Sequence, residues 1–222
     1  MLTKFHIYFI PGMAANSKIF ENIKLPSDEF EIHYLEWFQP KNEEHLLDYA
    51  KRMALQIKHE NIVLIGVSFG GVLAQELKQF VNPKKVIIIS SVKSSFELSN
   101  TLKFAKNTKA YKLLPTQLAQ YIDVLESISF GSNILKRKLV LFEKYLSVRD
   151  KDYLDWAIEN IINWERKIVD KEVIHIHGDK DEVFPIKNID KCILLKGGTH
   201  SMILNKFKWF NENLPKIIKI DN

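Results

Sequence analysis

The sequence predicts an α/β protein in which a mostly parallel sheet of about six strands is flanked by helices. Three observations support this prediction: short segments rich in Ile, Val, Phe and Tyr recur, helical patterns separate most of them, and one long interval lacks strands. Alternating strands and helices imply a parallel sheet that is covered on both faces. With 222 residues and 46% hydrophobic content, we expect residues 1–222 to form a single domain.

The elements follow one another in a regular order. Strand patterns occupy residues 4–10, 31–37, 61–67, 85–91, 172–177 and 191–196. Residues 43–58 and 69–81 place apolar side chains at the three- and four-residue spacing of one helix face, and residues 203–213 predict a closing helix. The strands and helices therefore have the order expected of successive parallel strands.

One interval breaks this order. Residues 92–171 contain no convincing strand, only helical pieces with apolar and aromatic spacing. The interval is too long for a simple connection between parallel strands. We therefore expect a helical insertion over residues 92–153, followed by a crossover helix that leads back to the sheet.

Composition argues against several functional classes. The formal net charge is +5, but the lysines are spread along the chain, which indicates solvated surfaces rather than nucleic-acid binding. The single cysteine, Cys192, excludes an intramolecular disulfide and a thiol cluster for zinc. A reducing compartment fits this composition best.

The amino-terminal residues loosely resemble a signal peptide, but their apolar stretch is short, contains His6 and is interrupted by Pro11 and Gly12. We expect a strand and a loop there instead. No apolar run approaches the roughly 18 residues that suggest a membrane span. The sequence thus predicts a soluble, cytoplasmic protein without a membrane span, and it indicates no oligomeric state.

The segment Gly66-Val67-Ser68-Phe69-Gly70 matches G-x-S-x-G, and it stands between a predicted strand and a predicted helix as that motif requires. On such a tight turn the serine backbone is strained, and glycines two residues away leave room where Cβ atoms would clash. Ser68 then projects at the carboxyl edge of the sheet, and the Phe69 N–H points from a helix N-terminus toward an oxyanion. Because the pentapeptide also fits an ordinary loop, the assignment of Ser68 as a nucleophile depends on whether the chain supplies a histidine and a carboxylate to act with it.

A serine nucleophile needs a histidine as general base and a carboxylate that orients the histidine. The fifth predicted strand ends in HGDKDEVFP (residues 177–185), and the sixth ends in GGTHS (residues 197–201). Both loops follow the carboxyl end of a strand, where open α/β sheets bind ligands. The chain order is serine, acid, histidine.

With GVSFG, HGDKDEVFP and GGTHS taken together, the chain resembles the α/β-hydrolases over nearly its whole length outside the insertion. The resemblance implies Asp181 as the acid and His200 as the base, with Asp179 open as an alternative acid. Ser68 would attack the substrate, His200 would take and return the proton, and Asp181 would orient the imidazole. The resemblance also implies the strand order 2-1-3-4-5-6, without the antiparallel strands that open many family members.

The resemblance further implies a second oxyanion donor in the loop after the first strand. Many family members have His-Gly there, whereas this chain has Pro11-Gly12, and the Met13 N–H is the expected donor. The alternative is that Pro11-Gly12 forms a plain turn.

In this family an insertion at the place of residues 92–153 commonly forms a lid over the nucleophile. Its aromatic and aliphatic side chains exceed what a connection needs, and at helical spacing most of them belong to the core while some contact ligand. A lid of this kind favours a small or medium hydrophobic acyl group that is shielded from water.

The other histidines predict neither a metal site nor a cofactor. His175 and His177 alternate on one strand face, but two histidines without a third ligand nearby are more often core or turn residues. Four more, His6, His33, His45 and His59, have no motif around them.

The leading hypothesis is a serine hydrolase of the carboxylesterase class, which cleaves an ester or thioester through an acyl-enzyme intermediate and has a small-molecule partner. A second hypothesis uses the same residues for C–C bond cleavage or acyl transfer. A third is a non-catalytic ligand-binding protein on the same fold, which the complete set of Ser68, Asp181 and His200 disfavours. Fold and triad give a reaction class and leave the substrate open.

Overall fold

The structure is a computed structural model that describes residues 4–113, 116 and 144–220. Its strands are β1 (Phe5–Ile10), β2 (Phe30–Tyr34), β3 (Ile62–Val67), β4 (Lys85–Ile89), β5 (Ile174–Gly178) and β6 (Ile193–Leu195). They form one sheet in the order 2-1-3-4-5-6, and every neighbouring pair is parallel. The predicted fold class and strand order are confirmed.

The helices cover the sheet in the expected sequence. They are α1 (Leu46–Ala54), α2 (Phe69–Leu77), α3 (Asn100–Thr108), α4 (Lys151–Ile162), α5 (Met202–Asn205) and α6 (Phe207–Lys219). The closing helix that was predicted as one element is divided, because Lys206 has a non-helical backbone (φ −110°, ψ 19°) between α5 and α6. In the described part of the chain, no helix has the length and apolar character needed to cross a membrane.

The central strands β3 and β4 are buried at every position. Successive strand side chains point to opposite faces of a sheet, so these strands supply two cores. Leu64 and Ile88 pack with Tyr49 and Leu73 on the face of α1, α2 and α4. The opposite face packs against α5 and α6 and includes Ile65, Ile87, Phe210 and Leu214. Each fully buried Leu or Ile side chain contributes roughly 1.5–3 kcal/mol, so the two cores fix the sheet that carries the site.

The predicted insertion over residues 92–153 is described in part. Its described residues include the 3₁₀ turns Ser95–Glu97 and Ala110–Leu113, α3, and the start of α4. Residues 114–115 and 117–143 lie outside the described residues, and much of the predicted lid falls there. The lid therefore stays a prediction.

Candidate active site

Ser68 occupies a sharp turn between β3 and α2, with φ 53° and ψ −121°. A non-glycine residue at positive φ is strained, typically by roughly 1–3 kcal/mol, and such strain clusters at functional sites. The flanking glycines make the turn possible. A Cβ atom on Gly66 would collide with the backbone of Gly70, and one on Gly70 would collide with the carbonyl groups of Ile10 and Pro11. The G-x-S-x-G spacing is therefore a packing requirement of this turn.

The backbone of Ser68 is anchored on both sides of the strained peptide. Its N–H donates to the Ile89 carbonyl at 2.9 Å, which extends the β3–β4 pairing. Its carbonyl accepts from the Ser91 hydroxyl at 2.7 Å and from the Gly71 N–H at 2.9 Å. Sequence reasoning missed Ser91, because only the position of the loop after β4 brings it beneath the turn.

The structure brings Ser68, His200 and Asp181 together from three separate loops. The Nε2 of His200 lies 3.0 Å from the Oγ of Ser68, and its Nδ1 lies 3.1 and 3.0 Å from the two carboxylate oxygens of Asp181. The Asp181 side chain is fully buried, whereas 29% of the His200 side chain is exposed. The histidine thus links a buried carboxylate to a partly accessible hydroxyl.

The Asp181 carboxylate is held by its own loop. Its Oδ1 accepts hydrogen bonds from the N–H groups of Val183 and Phe184, both at 2.9 Å. Burial acts to raise the pKa of Asp181, but the hydrogen bond and charge of His200, with the Phe184 N–H, outweigh burial and keep that pKa below the ordinary aspartate value. The carboxylate is therefore ionised at neutral pH and can stabilise an imidazolium.

Asp179 has a different place. Its Oδ1 accepts from the Gly197 N–H at 2.6 Å, which ties the loop after β5 to the loop after β6. The carboxylate beside His200 is that of Asp181. The geometry thus favours Asp181 over Asp179 as the orienting acid.

Two buried histidines lie behind the acid. The Nε2 of His177 is 2.8 Å from the Phe184 carbonyl, to which it donates, and 3.8 Å from a carboxylate oxygen of Asp181. The Nδ1 of His177 is 3.1 Å from the Nε2 of His175. Burial lowers the pKa of His177 and lowers that of His175 strongly, so both rings are neutral. They pack in the protein interior, as predicted for core or turn residues, and brace the acid loop through Phe184.

The two N–H groups predicted to form an oxyanion hole are those of Phe69 and Met13. Among the described residues, neither N–H has a hydrogen-bond acceptor. The loop that carries Met13 is fixed through its carbonyl groups. Trp37 Nε1 donates to the Gly12 carbonyl at 2.8 Å, and the Tyr153 hydroxyl donates to the Met13 carbonyl at 2.7 Å. Sequence reasoning did not find Trp37 or Tyr153, because both contacts join residues far apart in the chain.

Comparison with known protein families identifies one whose model matches most of this chain. The model described as Uncharacterised protein family (UPF0227) matches residues 19–207. The chain belongs to this family. Ser68, Asp181 and His200 all lie inside the matched region, while Met13 precedes it. A search of curated proteins gave no match to this UPF0227 member.

Solved structures share the fold of this UPF0227 chain at low sequence identity. A putative non-heme bromoperoxidase, BpoC, from Mycobacterium tuberculosis H37Rv has a TM-score of 0.69 and 12% identity, with 99% of this chain and 95% of that chain covered. An esterase from Exiguobacterium antarcticum has a TM-score of 0.67 and 16% identity, with 99% and 94% covered. The type II thioesterase BorB from the borrelidin biosynthetic cluster has a TM-score of 0.59 and 12% identity, with 98% and 94% covered. These likenesses establish the α/β-hydrolase fold.

Proposed function

We propose that this protein is a serine hydrolase that cleaves carboxylic esters or thioesters through an acyl-enzyme intermediate. The observation that carries the proposal is the strained Ser68, whose Oγ is 3.0 Å from His200 Nε2 while the other ring nitrogen of His200 bonds Asp181. Nucleophile and orienting acid each lie within hydrogen-bond reach of the base between them, which is the geometric signature of nucleophilic acyl transfer.

In the first half of the reaction, Ser68 Oγ attacks the substrate carbonyl carbon while its proton passes to His200 Nε2. Asp181 stabilises the resulting imidazolium through Nδ1. His200 then protonates the leaving alcohol or thiol, and the acyl group remains on Ser68. In the second half, His200 takes a proton from a water that attacks the acyl carbon. His200 then passes this proton to Ser68 Oγ as the bond between Oγ and the acyl carbon breaks and the carboxylic acid leaves.

The charge that develops on the carbonyl oxygen needs donors that are already in place. The N–H groups of Phe69 and Met13 suit this role because both lack an acceptor among the described residues and both belong to fixed backbone. Phe69 is the first residue of α2, so the helix dipole adds to its effect. Preorganised donors of this kind each account for about 10²–10³-fold in rate.

The proposed substrate carries a small to medium hydrophobic acyl group. Two structural neighbours bear the names esterase and thioesterase, which supports ester or thioester cleavage over C–C cleavage. The described part of the insertion exposes the apolar side chains of Phe96, Phe104 and Leu113, which a lid over Ser68 would bring to an apolar acyl group. The complete triad geometry disfavours a purely ligand-binding role.

Active-site labelling tests the proposal. A fluorophosphonate probe is expected to label the wild-type protein and to leave Ser68→Ala unlabelled, and Ser68→Ala should lose at least about 10⁴-fold in p-nitrophenyl ester hydrolysis. Ser201→Ala is the matched control, because Ser201 is exposed and adjacent to His200 in sequence. Labelling that survives in Ser68→Ala would refute the proposal. A series of esters and thioesters of increasing acyl length then defines the substrate class.

A further inference from the structure

A second cluster of side chains lies near the amino end of the sheet. His6 is on β1, Glu31 and His33 are on β2, and His59 stands in the loop before β3. In the β1–β2 register His6 is opposite Glu31, and Tyr8 is opposite His33. The side chains of His6, Tyr8, Glu31 and His33 therefore share one face of the sheet. Three chain segments therefore place three imidazoles and one carboxylate together.

The distances within this cluster are short. His6 Nδ1 lies 3.0 Å from His33 Nε2, and the two Glu31 oxygens lie 3.8 Å from His6 Nδ1 and 3.6 Å from His33 Nε2. The ring of His59 stacks on those of His6 and His33, with centroids 4.0 and 4.4 Å away. All four residues offer a ligand atom within 4.8 Å of the others, and no other group of three or more such side chains in the described residues does so.

We propose that His6, Glu31, His33 and His59 bind a Zn²⁺ ion. Imidazole nitrogen and carboxylate oxygen are common zinc ligands, and four of them form a closed tetrahedral set. Adjacent ligands of a tetrahedral zinc lie about 3.3 Å apart, because bonds of about 2.0–2.1 Å meet at the tetrahedral angle. The separations of 3.0, 3.6 and 3.8 Å bracket this value. The ring of His59 is parallel to that of His6 within 3°, so it must turn out of this stack before its Nε2 and the His6 Nδ1 bind the same ion.

The surroundings of the cluster suit an ion. The Oη of Tyr8 lies 2.7 Å from His59 Nδ1 and accepts a hydrogen bond from the Lys58 N–H at 3.3 Å. When His59 Nδ1 also donates to Tyr8, Nε2 keeps its lone pair for the metal, and such outer hydrogen bonds typically orient metal-binding histidines. The side chains of His6 and His33 are about one-fifth exposed and that of Glu31 is half exposed, so the cluster is open to ions from solvent.

The site has a structural role in this proposal. Ser68 follows the carboxyl end of β3, whereas the cluster lies near the amino ends of β1 and β3, at the other edge of the sheet. An ion there joins β1, β2 and the loop before β3, and it stabilises the folded state by binding that state alone. The rival explanation is a metal-free stack of imidazoles held by the His6–His33 hydrogen bond.

Zinc titration distinguishes the two explanations. The protein, prepared without a histidine tag and stripped of metals with EDTA and dialysis, is titrated with Zn²⁺ in a calorimeter and then melted with and without the ion. We expect one equivalent to bind at micromolar concentrations. At 100 times the dissociation constant, the melting temperature should rise by about 5–10 °C.

Variants locate the bound ion. Loss of an outer-shell partner already costs about 10–100-fold in metal affinity, so His33→Ala, which removes a ligand, should weaken binding by at least about 100-fold. Glu31→Gln, which removes the charge of a ligand and keeps an oxygen, should weaken it about 10-fold. His45→Ala is a control outside the cluster, and His200→Ala tests whether zinc binds at the triad instead; both should bind as the wild type does. If His33→Ala does not fold, Glu31→Gln carries the test because its side chain is half exposed. Absence of saturable binding, binding unchanged in the cluster variants, or binding lost in His200→Ala would each overturn the proposal.

Discussion

The carboxyl ends and the amino ends of the parallel strands form two opposite edges of the sheet, and the side-chain clusters at these edges are built from different kinds of element. At the carboxyl edge, Ser68, Asp181 and His200 each stand in a loop that follows a strand. At the amino edge, His6 and His33 lie within strands and meet only through the β1–β2 register. A site built from loops leaves local sequence motifs, because each loop needs its own glycines and turn residues. A site built from strand positions leaves no local sequence motif, because its residues come together only through the pairing of the strands.

The largest expected effect separates the functions that we propose for the two edges. Asp181→Asn should lower kcat for ester hydrolysis by about 10⁴-fold, because an amide can neither stabilise the imidazolium nor select the required tautomer. Zinc affinity at the amino edge should not change. Asp179→Asn is the matched control, since Asp179 bonds Gly197 and not His200, and its kcat should stay within about threefold of wild type. Equal losses in the two variants would contradict the assignment of the acid.

The second prediction concerns the close backbone packing that requires glycine at position 66 of the G-x-S-x-G motif. Gly66→Ala should destabilise the protein by about 3 kcal/mol, because its Cβ would meet the backbone of Gly70 and Gly71, which cannot yield without moving α2. Gly12→Ala is the control: its Cβ would lie 3.6 Å from the Ser68 Cβ, an ordinary contact. Urea unfolding measures both. A Gly66→Ala variant as stable as Gly12→Ala would mean that the glycine is not needed for packing.

The third prediction uses pH to examine the interior behind the acid. Burial lowers the pKa of His175 and His177 in the folded protein. Below the ordinary imidazole pKa of about 6.5, these two histidines bind protons in the unfolded chain but not in the folded state. The free energy of unfolding should therefore fall as pH falls. The slope is up to about 1.4 kcal/mol per pH unit for each histidine. The lowered pKa of Asp181 acts in a different range, because its stabilisation is lost only as pH falls through values below about 4.

A single variant isolates this contribution. His175→Gln keeps a side-chain donor for His177 Nδ1 and removes one titrating ring. The pH slope of unfolding free energy between pH 5 and 6.5 should decrease by up to about 1.4 kcal/mol per unit relative to wild type. Urea unfolding curves at several pH values measure it. An unchanged slope would show that His175 takes up a proton in the folded state.

The reach of sequence reasoning follows from the same comparison. Six strands and the loops around Ser68, Asp181 and His200 could be predicted, because hydrophobic periodicity and turn residues are local signals. The strand order followed only from the resemblance to the α/β-hydrolases. The contacts that hold these loops in place could not be predicted from the sequence. Ser91 reaches the Ser68 carbonyl, and Tyr153 reaches Met13, across long stretches of chain. The division of the closing helix at Lys206 was also missed, since the apolar spacing continues through it.

The smallest predicted effect tests one of those unpredicted supports. Tyr153→Phe removes the hydrogen bond to the Met13 carbonyl and should lower kcat about 5–10-fold with little change in KM, because the Met13 N–H is then less firmly aimed at the oxyanion. Tyr145→Phe is the matched control: it removes an exposed hydroxyl contact to Glu21 and leaves the hydrogen bond to the Met13 carbonyl in place. Steady-state kinetics with a short p-nitrophenyl ester measures both. If the two variants behave alike, Tyr153 supports only the fold, and the carboxyl edge depends on its local motifs alone.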